Sequence, residues 1–237
     1  MRGELVTRDL VKTYGRRRAL DGFTLHVRGC STLGLVGENG CGKTTWMMTV
    51  AGLVRPDSGC VDLCGEGPFD PGVHVGRLGL VPQDSEPAPE ARPGDLLVRL
   101  GVTQGMSRAA ARRQTRELLA SFNLLDRIDT PFRALSHGMR KRIMTAQAFL
   151  GSPEVVLLDE PFGGLDPVEC ERLRRFILER RGRQTIVLAS HSLTDIERLC
   201  TDVAFVSHGR VAEVHPLASL LAEGRTLEQI YLAGQRL

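Results

Sequence analysis

Short blocks of apolar residues recur along the first third of the chain, at residues 5–10, 23–27 and 32–36, and turn-forming residues separate them. These blocks read as β-strands. The third leads into a glycine-rich stretch, after which a helix is expected over residues 43–51, with Gly52 and Pro56 marking its end. Two more strands are expected at 60–64 and 78–82, the second closing just before Gln83. From residue 84 to about 92 the chain is rich in proline and glutamate, and residues 96–100, 109–122 and 139–150 then read as helices. Residues 155–159 form a continuous apolar run of the kind found in strands covered on both faces of a parallel sheet. Leu173, Phe176 and Ile177 follow at i, i+3 and i+4, which is helical spacing. Strands at 185–190, 202–207 and 211–214, a helix at 193–200 and a helical end over 217–237 complete the pattern. Strands alternating with helices predict an α/β sheet, and the helical run between two strands predicts an insertion.

The chain has 237 residues, 42% hydrophobic and 25% charged, enough for a sizeable core in one large or two small domains. The net charge of +3 is too mild to imply a nucleic-acid partner, and none is expected. Lysine occurs only at Lys12, Lys43 and Lys141, so arginine carries most of the positive charge. The basic run from Arg172 to Arg183 reads as a solvated helix face. The six cysteines are scattered without zinc spacing, which suits reduced thiols in a cytosolic setting. Cys60 and Cys64 read as strand-end thiols. Trp46, the only tryptophan, is expected to pack the helix behind the glycine-rich loop. No signal-like start and no apolar run of about 18 residues is present, so the chain is not expected to enter a bilayer by itself.

Gly37-Glu38-Asn39-Gly40-Cys41-Gly42-Lys43-Thr44 fits the phosphate-binding pattern G-x-x-x-x-G-K-[ST] and lies between an expected strand and an expected helix. Glycines let backbone N–H groups wrap phosphate oxygens, the helix N-terminus adds a positive dipole, and Lys43 and Thr44 reach the terminal phosphates and a magnesium ion. The apolar strand ending in Asp159-Glu160 supplies the acids: Asp159 for the magnesium shell and Glu160 to polarise an attacking water.

Together with several further segments, these motifs resemble the nucleotide-binding subunit of ABC transporters, and the resemblance covers nearly the whole chain. Tyr14 falls where the family stacks an aromatic on adenine, and Thr45 follows the loop among the nucleotide-binding positions. Gln83 matches the glutamine that senses magnesium, water and the membrane partner. Leu135-Ser136-His137-Gly138-Met139 stands at the signature motif, with Ser136 and Gly138 retained and His137 and Met139 replacing the commonest glycine and glutamine. That type of signature is more similar to those of exporters. Gly163-Gly164-Leu165-Asp166 matches the D-loop, and His191 the switch histidine that contacts the γ-phosphate.

The resemblance implies a P-loop NTPase core with a mainly parallel sheet, an N-terminal antiparallel β part and an inserted helical subdomain. The whole of 1–237 would be one ATPase domain, with its core at 1–83 and 151–237 and the insertion at about 84–150. It further implies a catalytic set of Glu160, His191, Lys43 and Gln83, with magnesium held by Thr44, Gln83 and Asp159. ATP would lie between the loop of one copy and Ser136, Gly138 and Asp166 of another, in a head-to-tail dimer with itself or a homologue. Membrane-spanning transporter subunits would be the partners, with the ATPase peripheral on the cytoplasmic face of the cell membrane, and the regulatory extension of some importer subunits would be absent. The alternative is a soluble ATPase of the same family acting on nucleic acid, ribosomes or iron–sulfur assembly, which co-purification with membrane proteins would distinguish.

Overall fold

Strand β3 (Thr32–Val36), strand β6 (Val155–Asp159) and strand β7 (Thr185–Ala189) are buried at every position, because each has a neighbour on both edges and side chains packed on both faces. In this computed structural model, which describes residues 2–67, 69–70, 72–83, 86–222 and 226–234, they form the centre of a six-stranded sheet. Strand β5 (Leu78–Val81) closes one edge; β8 (Asp202–Ser207) and β9 (Arg210–Pro216) close the other, in the order β5-β6-β7-β3-β8-β9. All neighbours are parallel except β8 and β9. A second sheet is antiparallel, with β1 (Leu5–Tyr14) between β2 (Arg17–Val27) and β4 (Ser58–Leu63). The expected α/β class, with its parallel sheet and antiparallel N-terminal part, is present.

The two-residue period of the strands sorts their side chains into two cores. Val155, Leu157, Val187 and Ala189 face the antiparallel sheet, together with Leu33, Leu35 and helix α1 (Lys43–Val50). Val156, Leu158, Ile186 and Leu188 face the other way, toward the helices. Helix α1 carries Trp46 and Met47 into the first core. The Trp46 indole is fully buried, stacks on Phe23 at 5.6 Å and donates its N–H to Thr7 Oγ1 at 3.1 Å.

On the opposite face lie α2 (Pro93–Thr103), α3 (Arg108–Ser121), α4 (His137–Gln147), α5 (Pro167–Leu178) and α6 (Leu193–Leu199). The helices α2 to α4 of the insertion share one hydrophobic cluster with α5, where Phe122 meets Phe176 at 4.6 Å and Phe149 meets it edge-on at 4.9 Å. Each helix start has a local cause. Pro93 opens α2, while Ser107, Ser136 and Ser192 accept the N–H of Ala110, Met139 and Asp195 to start α3, α4 and α6. The chain then forms α7 (Leu217–Ala222) and α8 (Leu227–Gly234), separate helices within the single helical end expected there. The expectations for residues 84–85, 223–225 and 235–237 lie outside the described residues.

Several boundaries differ from expectation for physical reasons. Strand β1 runs four residues beyond Leu10 because Asp9 adopts φ 49° and the pairing with β2 slips there, which breaks the alternation that marks a strand in sequence. Strand β2 begins at Arg17, where charged side chains hide an edge strand. Helix α4 starts at His137 rather than 139, set by the Ser136 cap, and Cys60 lies inside β4 with its side chain exposed.

The burial of Trp46 gives a first prediction. Trp46→Phe should lower stability by about 2 kcal/mol, through a lost hydrogen bond and a small void. A urea midpoint unchanged from the parent would refute that packing, as would ready quenching of the parent's emission by iodide.

Candidate functional site

The parallel register brings the C-terminal ends of β6, β7 and β3 side by side, with Asp159 paired to Ala189 and Leu35 paired to Ala189 on the other edge. Ligands of open α/β sheets bind outside such ends. Here the strand ends open into a groove of about 890 Å³ lined by Tyr14, Arg17, Gly40, Gly42, Lys43, Thr44, Thr45, Gln83, Asp159, Glu160 and His191, among others.

The loop after β3 wraps the start of α1. Gly42 has φ 115°, and a side chain there would strike the Ala19 carbonyl, so this position needs glycine. At Gly37 an added Cβ would meet the Val206 carbonyl and the Cys41 sulfur. The Cys41 thiol is buried beneath the loop rather than turned to the groove. Lys43 folds back, its ammonium donating to the carbonyls of Gly37 at 2.7 Å and Glu38 at 3.0 Å. The loop is braced from below and from the side. Gly209, in the turn between β8 and β9, donates its N–H to the Cys41 carbonyl at 2.9 Å, and Arg17 donates to the Gly40 carbonyl at 2.6 Å.

The acids come from the end of β6. Asp159 is 2% exposed and accepts the Thr44 hydroxyl at 2.6 Å, so the loop and the strand meet through that bond. Glu160 has φ 47°, a left-handed conformation that a side chain bearing a Cβ rarely adopts. That turn aims its carboxylate at His191, whose Nδ1 lies 2.8 Å from Oε2. Gln83 follows β5 at the far wall, with its backbone carbonyl held by the Lys141 ammonium of α4 at 3.1 Å. Tyr14, at the end of β1, is about half exposed and forms the near wall.

Such a groove can hold a polyphosphate against backbone N–H groups, a lysine and the N-terminus of α1. Its oxygen donors also fit magnesium, since a carboxylate and a hydroxyl 2.6 Å apart suit a hard cation that keeps further positions for phosphate and water. Among the described residues no group of three or more His, Cys, Asp or Glu side chains could hold a metal ion.

Ser136, Gly138 and Asp166 are not among the residues lining the groove. Ser136 and Asp166 are exposed, and both cap helices of their own chain, Ser136 for α4 and Asp166 for α5. His137 and Lys141 of the same region do line it. Arg17 and Gly209 were not identified as site residues from sequence. Arg17 could have been noted three residues after Tyr14, whereas nothing local to Gly209 links it to a loop more than 160 residues earlier.

A phosphate-wrapping loop, an acid pair on the neighbouring strand end and a helical insertion beside them define a P-loop ATPase cassette. A profile of the ABC transporter family matches residues 20–163. The Nod factor export ATP-binding protein I of Paraburkholderia xenovorans is 37% identical over 218 residues, covering 90% of this chain and 71% of that protein. The solved ATP-binding subunit of an ABC transporter superposes with a TM-score of 0.87 at 28% identity, covering 97% of this chain and 98% of that one. A nucleotide-free ATP-binding cassette from an ABC transporter has the same fold, with a TM-score of 0.78 at 19% identity. The chain belongs to the ABC transporter family as an ATP-binding cassette, the class that hydrolyses ATP to power transport. Among the described residues no helix is long and apolar enough to cross a membrane.

The close contacts around the loop predict that Gly42→Ala weakens nucleotide binding at least about tenfold. Titration with a fluorescent ATP analogue measures this, and an affinity within twofold of the parent would contradict the assigned loop geometry.

Proposed function

We propose that this chain is the ATP-hydrolysing subunit of an exporter, working as a head-to-tail pair of cassettes on the cytoplasmic face beneath separate membrane-spanning subunits. The contact that carries the reading is the 2.8 Å pairing of Glu160 with His191, in the same groove as Lys43, Thr44 and Asp159. In this reading Glu160 orients the attacking water and accepts its proton, and His191, held by Glu160, contacts the γ-phosphate. Water oxygen bonds to the γ-phosphorus as the bridge to the β-phosphate breaks. Lys43 and the loop amides stabilise the charge on the transferred group, and Tyr14 supports the adenine. Thr44, Asp159 and Gln83 would hold magnesium, which supplies further charge neutralisation when bound.

The exposure of Ser136 and Asp166, and the absence of Ser136, Gly138 and Asp166 from the lining of their own chain's groove, support a shared site. In their own chain Ser136 and Asp166 cap α4 and α5 and Gly138 lies in the first turn of α4, none of them lining the groove, so they are available to a second copy. Export is supported by the Leu135 to Met139 signature and by the name of the Paraburkholderia relative. Lys141, which joins α4 to the Gln83 carbonyl, offers a route from the site to the insertion and so to the membrane partner.

Glu160→Gln tests the reading. It should retain ATP affinity, reduce phosphate release by at least about a thousandfold and leave an ATP-stabilised dimer. A variant that turns over ATP at the parental rate would remove Glu160 from the chemistry.

A further inference from the structure

The segments carrying Ser136 and Asp166, neither of which lines the groove, are fastened to each other inside the chain. Arg142 lies on α4, six residues after Ser136, and is only 5% exposed. Its Nη1 donates to the Phe122 carbonyl at 2.8 Å and its Nε to the Gly138 carbonyl at 3.3 Å. Nη2 makes a short ion pair with Glu169 on α5. The Glu169 carboxylate in turn accepts the Asp166 N–H at 3.4 Å, while Asp166 Oδ1 accepts the Glu169 N–H at 2.8 Å. It also lies so close beneath Gly138 that a Cβ there would strike it. A second contact lies nearby, where a Cβ on Gly164 would run into the His137 ring.

A buried arginine is costly unless its donors are met. Burial pushes the Arg142 guanidinium below its ordinary value, opposed by the Glu169 charge and with Arg172 adding to the lowering. Since buried ion pairs are often replaceable by apolar residues without loss of stability, this one calls for a reason other than fold stability. Its geometry supplies one: both ends of the pair hold backbone at the exposed starts of α4 and α5.

We infer that Arg142 and Glu169 are positioning residues that lock Gly138 and Asp166 into one rigid block, so that Ser136, Gly138 and Asp166 meet the phosphate loop of a second copy together. This rests on the shared-site reading above. Neither residue touches the nucleotide groove of its own chain, so the block is needed for assembly of the pair and not for holding ATP in one copy. Without the pair, the apolar cluster would still hold α4 against α5, but the exposed starts of the two helices would lose the polar bonds that fix one relative to the other, and ordering them would add to the cost of assembly.

The test uses the full chain carrying Glu160→Gln as parent, compared with the same chain also carrying Arg142→Met and Glu169→Met. Melting temperature, binding of a fluorescent ATP analogue at low protein concentration, and ATP-driven dimerisation by sedimentation equilibrium are read for both. The melting temperature and analogue affinity should stay close to the parent's, while the dimer dissociation constant rises at least about tenfold. Dimerisation at the parental strength would overturn the inference. A parent that stays monomeric with ATP and magnesium would instead overturn the shared-site reading, and the inference with it. If the double variant does not fold, Glu169→Gln replaces it, keeping the side-chain shape while removing the charge. In that variant a dimer at least about threefold weaker with unchanged analogue affinity supports the inference, and equal dimer strength overturns it.

Discussion

The parallel pairing of β6 with β7 and of β7 with β3 is the constraint on which the rest of the molecule depends. Because Asp159 and Leu35 flank the same residue, Ala189, the ends of three strands stop at one level. Three parts of the site are attached there: the loop after β3, the acids after β6 and the histidine after β7. A slip of one residue in β6 would turn Asp159 to the opposite face and move Glu160 by a full strand step. The full burial of all three strands resists such a slip, since each would expose one core while overfilling the other.

The two cores divide the labour on either side of this sheet. The one toward the antiparallel sheet encloses α1 and fixes the loop from below through Trp46, Met47 and Val50. The other runs without a break from the sheet helices into the insertion, so the segments bearing Ser136 and Gln83 are packed to the same body as Asp166. Polar bonds such as Lys141 to Gln83 then set finer positions on that apolar base.

The central strands, the phosphate loop and the acid pair were legible in the sequence because each is a local pattern. An apolar run such as Val155 to Leu158 is explained by burial on both faces, and glycines at fixed spacing by the path of a tight loop. What escaped is what depends on pairing. The extension of β1 past Leu10 was hidden by a bulge that shifts the alternation, and the start of β2 by arginines on an edge. Arg17 and Gly209 support the loop from opposite ends of the chain, and for Gly209 no window of sequence joins it to the loop. Ser136 and Asp166 were legible as motif residues, yet the ion pair linking α4 to α5 appeared only with the packing of one helix against the other.

The left-handed backbone at Glu160 sets chemistry against folding preference. Glycine would adopt that conformation with less strain, and asparagine is more often tolerated there than glutamate. Selection for thermal robustness alone would therefore drift away from the acid, so on the role proposed for Glu160 durability and turnover pull in opposite directions. A carboxylate on this reluctant bend fits the role proposed for Glu160, in which work rather than shape sets the residue.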